Sequence, residues 1–388
     1  MSSNDPPFAP STIPIPHSAF PNPPSMSDSF HSVDLAGVRQ EFEEQLDRSL
    51  STIVSRVDNA LKVDAVHTCL MHYLKTPGKR LRPLLFLATV QALNPERTID
   101  SGVFRMACGL ELFHEFILIH DDLIDRSDSR RGAPTLWRRL ESDAGLPEPK
   151  ARSTALIAGD ILFAGAIELF TSNDTRPGVT SGFLGTFLQA ARETGWGAIG
   201  EIVVSEQPFL ETTTGTVEAV YHAKTTRYTF EAPMILATAV CGAPDLVHTT
   251  LVRLARPLGL AFQLENDLHE LTAYLDGRSE RSADTESGIK TLPLVRLLEA
   301  LPERDRQDMA AWLDQPDIDR RREHLAVVIK STGFITVIRS EIDRLFAQPG
   351  AILEQSGIDA DLRRRLDHIV AFLRAHRNHS EAGGRGGE

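Results

Sequence analysis

The chain has 388 residues and a formal net charge of -12 at pH 7, and 41% of its residues are hydrophobic. A chain this acidic is not expected to bind nucleic acid non-specifically, because neutralising backbone phosphates requires a basic surface. The three cysteines, Cys69, Cys108 and Cys241, lack paired spacing, which excludes a disulfide framework and a zinc motif and fits a reducing cytoplasm.

The two ends of the chain differ in composition from its middle. Residues 1 to 32 contain eight prolines and almost no periodic apolar residues, so they are predicted to form a disordered tail. The glycine-rich residues 377 to 388 are predicted to be disordered as well. The N-terminus lacks the pattern of a signal peptide, and no apolar run approaches the ~20 residues that span a bilayer. A cytoplasmic protein without a membrane span is therefore expected.

Residues 33 to 376 are predicted to form one all-α domain, a large helical bundle with a central substrate cavity. Apolar residues recur at helical spacing in segment after segment, and the alternating runs typical of strands are almost absent. Several helices are apolar around much of their circumference, as expected for helices enclosed by others. In chain order, the predicted helices cover residues 34–74, 81–92, 103–125, 154–170, 183–193, 217–241, 248–271 and several more segments up to residue 376.

The clearest functional signal is an acidic cluster at the end of the predicted helix 103–125. Asp121 and Asp125 are one helical turn apart on one face, and Asp122 lies beside them. Like charges this close repel each other, so the cluster indicates a cation between them, and oxygen ligands favour Mg2+. A solvated acidic helix end is the alternative interpretation of this motif taken alone.

Basic residues stand on both sides of the acidic cluster. Arg130 and Arg131 could hold the oxygens of a diphosphate beyond a metal site. Upstream, Lys79, Arg80 and Arg82 lie at a predicted loop-to-helix junction, where free amides and the helix dipole favour phosphate. Taken separately, either group could be ordinary solvated charge.

Together these segments resemble the trans-polyprenyl diphosphate synthase family, of the short-chain type that makes farnesyl or geranylgeranyl diphosphate. Gly78 to Pro83 matches that family's GKRxRP segment, Asp121 to Asp125 its first DDxxD motif, and Arg130 to Gly132 the RRG that follows. The resemblance covers about residues 40 to 375. It implies an all-helical, magnesium-dependent, homodimeric prenyltransferase that joins isopentenyl diphosphate to an allylic diphosphate.

The resemblance also implies roles for individual residues. Those implied to hold isopentenyl diphosphate are Lys79, Arg82, His114 and, assisting them, Arg131. Those implied to face the allylic diphosphate are Arg130, Lys224, Thr225 and Gln263. Those implied to bind Mg2+ in the first motif, with three ions per active site once substrate is bound, are Asp121, Asp122 and Asp125.

The implied reaction begins with ionisation of the allylic diphosphate, whose leaving group Mg2+ would stabilise. The double bond of isopentenyl diphosphate attacks the resulting cation, and a proton then leaves. Water must be excluded because it would quench the cation. The residues expected to carry catalysis are Asp121, Asp122, Asp125, Arg130, Arg131 and Lys224.

The second acidic motif departs from the family's DDxxD. Asn266, Asp267 and Glu270 stand at its positions and are the implied second set of metal ligands. Asn266 keeps an oxygen that can bind Mg2+ but loses a charge, and Glu270 carries its charge on a longer arm. Lys290, one place later than the family's usual lysine, is the implied contact to the allylic diphosphate in this region.

Two other interpretations stay open. An altered second motif is compatible with a weakly active or regulatory subunit of a two-subunit synthase. The Asn-Asp start also invites comparison with class I terpene cyclases. Those enzymes have a hydroxyl residue four positions after the asparagine and an acid eight positions after it, whereas this chain has Glu270 and Tyr274 there, so the pattern fails.

Two bulky residues are expected to limit product length. In the family the product grows down a tunnel beneath the first motif, and the residues four and five positions before its first aspartate, Ile117 and Phe116, close the floor. A phenyl ring there favours products of fifteen or twenty carbons, with twenty preferred.

The proline-rich tail, comparable to tails that load related enzymes into protein shells, is a candidate docking segment for a shell or scaffold.

Overall fold

The structure, a computed structural model, describes residues 35–54, 61, 63–96, 98–171, 177–276, 290–314 and 318–382. The predicted N-terminal tail and its docking role lie outside these residues, as do residues 383–388 of the second predicted tail. The α-helices of the described part are α1 (Leu35–Val54), α2 (Asp64–Leu74), α3 (Leu81–Leu93), α4 (Ser101–Ile124), α5 (Leu136–Ser142), α6 (Glu148–Phe170), α7 (Pro177–Ser205), α8 (Thr214–Tyr221), α9 (Ala232–Cys241), α10 (Asp245–Leu275), α11 (Leu292–Ala300), α12 (Glu303–Leu313), α13 (Ile318–Thr332), α14 (Phe334–Glu354) and α15 (Ala360–Ala382).

Three short elements complete this part of the chain. The two-residue strands β1 (Ser129–Arg130) and β2 (Ala133–Pro134) form an antiparallel hairpin between α4 and α5. A 3-10 turn, Phe209–Glu211, follows α7, and a π-helical segment, His222–Glu231, joins α8 to α9. The predicted all-α class is confirmed.

The helix bounds differ from the sequence prediction in several places, and the predicted helix 217–241 is α8, the π-helical segment and α9. Residues 34–74 hold two helices, α1 and α2, where one was predicted. The predicted helix 183–193 is the middle of the much longer α7, whose glycines at 195, 197 and 200 weaken the helical pattern that sequence reasoning depends on. The last helix, α15, runs to Ala382, past the expected domain end at residue 376.

Two hydrophobic clusters share α3. Leu85 and Ala88 belong to a cluster with α10 and the helices that follow it, whereas Phe86 and Leu87 belong to a cluster with α1, α2 and α4 to α7. Side chains on all sides of α3 are therefore buried, which explains why its sequence is apolar without a polar face.

The helix α4 carries the first acidic motif to the edge of the core. The side chain of Asp100 caps its N-terminus by accepting a hydrogen bond from the N–H of Val103 at 3.0 Å. Beyond its C-terminus, the indole N–H of the buried Trp137 donates to the carbonyl oxygen of Ser127 at 2.8 Å. This bond fixes the loop that leads from the acidic motif into the hairpin.

One helix of the described residues, α6, is long and apolar enough to cross a membrane by length and composition, with a mean hydropathy of 1.6. The sequence alone predicts no such segment. A core helix passes the same test, and α6 packs against α4 and α5 with Ala155, Leu162 and Ala166 buried.

Candidate active site

Two adjoining cavities lie among α3, α4, the π-helical segment and α10. The first has a volume of about 550 Å³ and reaches the acidic motifs, and the second, of about 680 Å³, lies beside the hairpin and the start of α3. The residues that line both are Lys79, Leu81, Arg82, His114, Leu118, Arg130 and Phe262. Cationic and neutral donors, together with three apolar side chains, thus form the wall that the two cavities share.

The first acidic motif divides its three carboxylates between two tasks. Asp121 and Asp125 line the first cavity. Asp122 points the other way, is 1% exposed, and accepts two hydrogen bonds of 2.7 Å from the guanidinium of Arg130. Burial raises the pKa of both Asp122 and Asp125 to about 6. Asp122 therefore orients Arg130, while the other two carboxylates face the space where a ligand would bind.

The hairpin presents the two predicted arginines to different places. Arg130 lines both cavities, whereas Arg131 lines only the second. Arg131 has a φ of 54° and the next residue, Gly132, a φ of 73°, so the chain turns sharply here in a conformation that glycine adopts readily. The guanidinium of Arg131 lies against Gly78, where an added Cβ would come within 3.1 Å of Nη1.

Arg82 and His114 are fixed in the shared wall. Arg82 Nη2 donates to Tyr228 Oη at 2.7 Å and to Thr229 Oγ1 at 2.8 Å, and its guanidinium lies 4.4 Å from the centre of the Tyr228 ring. His114 is buried, and burial together with the nearby Arg82 lowers its pKa well below its ordinary value. A neutral imidazole results, and its Nδ1 has no hydrogen-bond partner among the described residues.

The opposite wall of the first cavity comes from the π-helical segment. Lys224 Nζ lies 2.5 Å from Glu201 Oε2 on α7 and 3.9 Å from Asp121 Oδ1. Burial opposes the charge of Lys224, but Asp121 and Glu201 outweigh it and raise the pKa of the amine, which therefore stays protonated. The neighbouring Thr225 lines the same cavity.

An ionic clamp holds the two ends of the π-helical segment together. The buried carboxylate of Glu231 accepts hydrogen bonds from His222 Nε2 and from Arg227 Nη1, both at 2.7 Å. Arg227 also pairs with Glu193 on α7 at 2.5 Å. Burial raises the pKa of Glu231, but the bonds from His222 and Arg227 bring it below its ordinary value. The segment that presents Lys224 is thereby tied to α7.

The second acidic motif lies on α10 across the first cavity. Asn266 and Glu270 line that cavity and are exposed. Asp267 lines it too but is buried, and it accepts hydrogen bonds from the Tyr221 hydroxyl and, at 2.9 Å, from Gln263 Nε2. In this structure, both oxygens of Asp267 thus contact neighbouring side chains, and Gln263 is turned toward it.

Two predicted residues lie apart from the rest. Lys290 is buried outside the residues that line either cavity, where its Nζ donates to the carbonyl oxygen of Ser205 at 3.0 Å and lies 4.3 Å from the centre of the Phe209 ring. Ile117 lines the first cavity, but Phe116 does not; its ring packs on those of Phe113 and Phe163.

The residues of the first cavity fit a magnesium ion shared with a substrate. Within the described part of the chain, no three His, Cys, Asp or Glu side chains are gathered so that they alone would hold a metal ion. Mg2+ commonly binds through one or two carboxylates together with substrate phosphates and water. Asp121 and Asp125 supply such carboxylates beside the cationic wall.

Sequence reasoning missed several residues of the site. Glu201 belongs to no motif, although a lone acid in the apolar run from Gly200 to Ser205 was a signal. Glu115, a charged residue directly after His114 in an apolar helix, was a signal of the same kind. Arg39, which lines the second cavity and donates to the carbonyl oxygen of Gly78 at 3.1 Å, carried none.

Comparison with known proteins identifies the family to which this chain is similar. Residues 63–328 match the family model described as Polyprenyl synthetase. The farnesyl diphosphate synthase of Geobacillus stearothermophilus is 30% identical over 237 residues, which are 60% of this chain and 73% of that protein. The short chain isoprenyl diphosphate synthase of Methanothermobacter thermautotrophicus is 25% identical over 353 residues, covering 88% and 98% of the two chains.

A solved structure has the same fold. The geranylgeranyl pyrophosphate synthase of Corynebacterium glutamicum, crystallised with isoprenyl diphosphate and magnesium, matches with a TM-score of 0.70 at 24% identity over 88% of this chain and 96% of that one. The fold, the two cavities and the family match together define a prenyl-transferring enzyme. The chain belongs to the polyprenyl synthetase family and is a trans-prenyltransferase, so the resemblance and the enzyme class predicted from sequence are confirmed.

Proposed function

We propose that this enzyme condenses isopentenyl diphosphate with an allylic diphosphate, in the presence of Mg2+, to give a short-chain product. The observation that carries this proposal is the pair of adjoining cavities, one reaching acidic residues and the other lined by arginines and lysine, with a shared wall. A reaction that joins the hydrocarbon end of one diphosphate to the carbon from which the other diphosphate departs needs two anion sites that open into one space.

The second cavity suits the diphosphate of isopentenyl diphosphate. Lys79, Arg82 and Arg131 line it and supply the charge that a diphosphate requires. His114 adds a neutral donor, since its lowered pKa keeps it uncharged, and a donor of this kind suits a phosphate oxygen without adding to the crowded positive charge.

The acidic end of the first cavity suits the allylic diphosphate. Asp121 and Asp125, with Asn266 and Glu270 facing them from α10, would hold Mg2+, three ions per site once substrate is bound, and Lys224 supplies a fixed positive charge at the same end. When bound, Mg2+ would neutralise the diphosphate and favour its departure. The Corynebacterium relative, crystallised with magnesium, supports this assignment.

The remaining steps are assigned to residues of this chain. Arg130, aimed by Asp122, and Lys224 stabilise the negative charge that grows on the leaving diphosphate. Leu118, Phe230 and Phe262 line the first cavity, where they would protect an allylic cation from water. The double bond of isopentenyl diphosphate attacks that cation, and the proton then lost passes to the departed diphosphate.

Product length is proposed to be set beneath the first motif. Phe116 stacks with Phe113 and Phe163 at ring-centre distances of 5.7 and 5.2 Å, and Phe113 also meets Phe187 at 4.8 Å. Phe116 directly precedes Ile117, which lines the first cavity, and we propose that these rings form the floor beneath it. A floor this bulky favours products of fifteen or twenty carbons, and we propose twenty.

Two copies of the chain are proposed to associate through α6 and α7. Leu156, Ile157 and Ile161 on α6, with Trp196 and Ile199 on α7, form faces of large exposed apolar side chains, Trp196 being 72% exposed. Exposed apolar faces of this kind mark protein interfaces.

All three cysteines are free thiols, which supports a reducing cytoplasmic setting.

Product analysis tests the proposed function. Purified protein is given Mg2+, labelled isopentenyl diphosphate and either dimethylallyl, geranyl or farnesyl diphosphate, and the products are sized by chromatography. Elongation that stops at fifteen or twenty carbons and is lost in Asp121→Ala is expected. Absence of elongation with all three primers, in protein shown to be folded, would contradict the proposal and favour a regulatory subunit.

A further inference from the structure

A buried carboxylate lies behind the arginine of the second cavity. Glu115, on α4 next to His114, is 3% exposed. Its Oε1 is 3.2 Å from Arg131 Nη1 and 3.5 Å from Arg80 Nη1. A buried carboxylate is stable only beside positive charge, so these two guanidiniums hold it in place.

The two arginines are not equally free to bind a ligand. The Arg80 side chain is 4% exposed and also contacts Glu111 at 2.7 Å and Glu43 at 3.4 Å, so three carboxylates surround it. The Arg131 side chain is 28% exposed and lines the second cavity. In the described part of the chain, the carboxylate that forms an ion pair with Arg131 is Glu115, and a diphosphate in that cavity would compete with it.

We propose that Glu115 is a positioning residue that holds Arg131 in the empty site and whose negative charge opposes the incoming diphosphate, so that it sets the affinity for isopentenyl diphosphate. This inference rests on the function proposed above. Glu115 thus acts as a counter-ion that keeps Arg131 in position before substrate arrives. The more of its negative charge is present, the more weakly isopentenyl diphosphate binds.

The groups around Glu115 determine when that charge is present. Facing it are Tyr73 of α2, Arg80 at the start of α3, Arg131 of the hairpin and Glu111 of α4. Burial raises the pKa of Glu115 to about 7, while Arg131 acts in the opposite direction. A diphosphate bound at Arg131 would raise that pKa further, so binding favours the protonated form. The electrostatic repulsion between Glu115 and the diphosphate therefore grows as the pH rises through the neutral range.

Two substitutions separate charge from shape at this position. Glu115→Gln keeps the shape and removes the charge, whereas Glu115→Asp keeps the charge on a shorter arm. The KM for isopentenyl diphosphate and kcat are measured at saturating primer, at pH 6 and pH 8. At pH 8, Glu115→Gln is expected to lower this KM by about three- to tenfold, since one nearby opposing charge is lost. At pH 6 it should differ little from the unaltered enzyme, and Glu115→Asp should not lower KM at either pH.

Glu111→Gln is the matched control, because it removes a buried charge one helical turn away that contacts Arg80. Its effect on the KM for isopentenyl diphosphate is expected to be smaller than that of Glu115→Gln. The inference is overturned if Glu115→Gln leaves KM unchanged or raises it at pH 8, or if Glu115→Asp lowers it equally. A wild-type chain that makes no product would refute the proposed function instead. Calorimetric titration with isopentenyl diphosphate would then make the same comparison of variants and pH without turnover.

Discussion

At Asp125 the chain keeps a carboxylate where the surroundings disfavour its charge. Burial, together with Asp121 and Glu201, raises its pKa from the ordinary 3.8 to about 6, although Lys224 acts against this. A group with a raised carboxyl pKa contributes stability below pH ~4 that is lost as the pH rises through about 6. At neutral pH the site is therefore less stable than it would be with a neutral side chain, as is common where function requires a charge.

The substitution Asp125→Asn is expected to stabilise the fold while it impairs catalysis. At pH 7 without Mg2+, the free energy of unfolding should rise by roughly 1 kcal/mol after allowance for solvent screening. At pH 4 the difference should be much smaller, because the carboxyl is then protonated in the folded state and about half protonated in the unfolded state. Urea unfolding at the two pH values measures this. Asp367→Asn, at an exposed position of α15, is the control. If Asp125→Asn stabilised the fold equally at pH 4 and pH 7, burial of charge would not be the cause.

At the scale of elements, the π-helical segment decides where Lys224 points. A π-helical turn has one more residue than an α-helical turn, and such turns recur at functional sites. Two glycines let neighbouring helices approach this segment. A Cβ at Gly197 of α7 would lie 2.4 Å from the backbone nitrogen of Lys224, and one at Gly259 of α10 would lie 2.4 Å from the Thr226 side chain. The position of Lys224 thus depends on close approach of two neighbouring helices, with backbone contact at Gly197 and side-chain contact at Gly259.

Gly197→Ala is expected to displace this segment. The clash involves backbone atoms, so relief requires a shift of α7 or of Lys224, with a loss of roughly 1–3 kcal/mol in stability. Because Lys224 moves, kcat should fall as well, by roughly tenfold or more. Gly195→Ala on the same helix, where nothing lies within 4 Å of an added Cβ, is the matched control and should retain activity. Equal activity of the two variants would contradict this account.

Some of these elements were predictable and others were not. Asp121 and Asp125 were found because their spacing within one helix is a local property that sequence displays directly. Glu201 was not assigned, because its contact with Lys224 depends on how closely α7 crosses the π-helical segment. The sequence predicts one ordinary helix over 217–241, since nothing in its pattern of apolar residues marks residues 222–231 as π-helical. Lys290 was placed by analogy of position, and packing on Phe209 directs it elsewhere.

At the scale of the whole molecule, the apolar faces of α6 and α7 are expected to be covered by a second copy. Replacing Ile157 and Ile199 together by Asp places two charges in these faces, where both residues are more than half exposed and so do not support the core of one copy. Light scattering after size exclusion should show a dimer for the unaltered protein and a monomer for the variant. Val327→Asp, at an exposed site on α13, should remain dimeric. A monomeric unaltered protein would refute the association.

The central claim is that the two cavities bind the two substrates separately. Arg131 lines only the second cavity and Lys224 only the first, so alanine substitutions at these positions test it most directly. Arg131→Ala is predicted to raise the KM for isopentenyl diphosphate by roughly tenfold or more, because a hydrogen bond to a charged group is lost. The KM for the allylic primer should change little. Lys224→Ala is predicted to do the reverse. If both variants weaken the same substrate, or each weakens both equally, the assignment of one cavity to each substrate is contradicted.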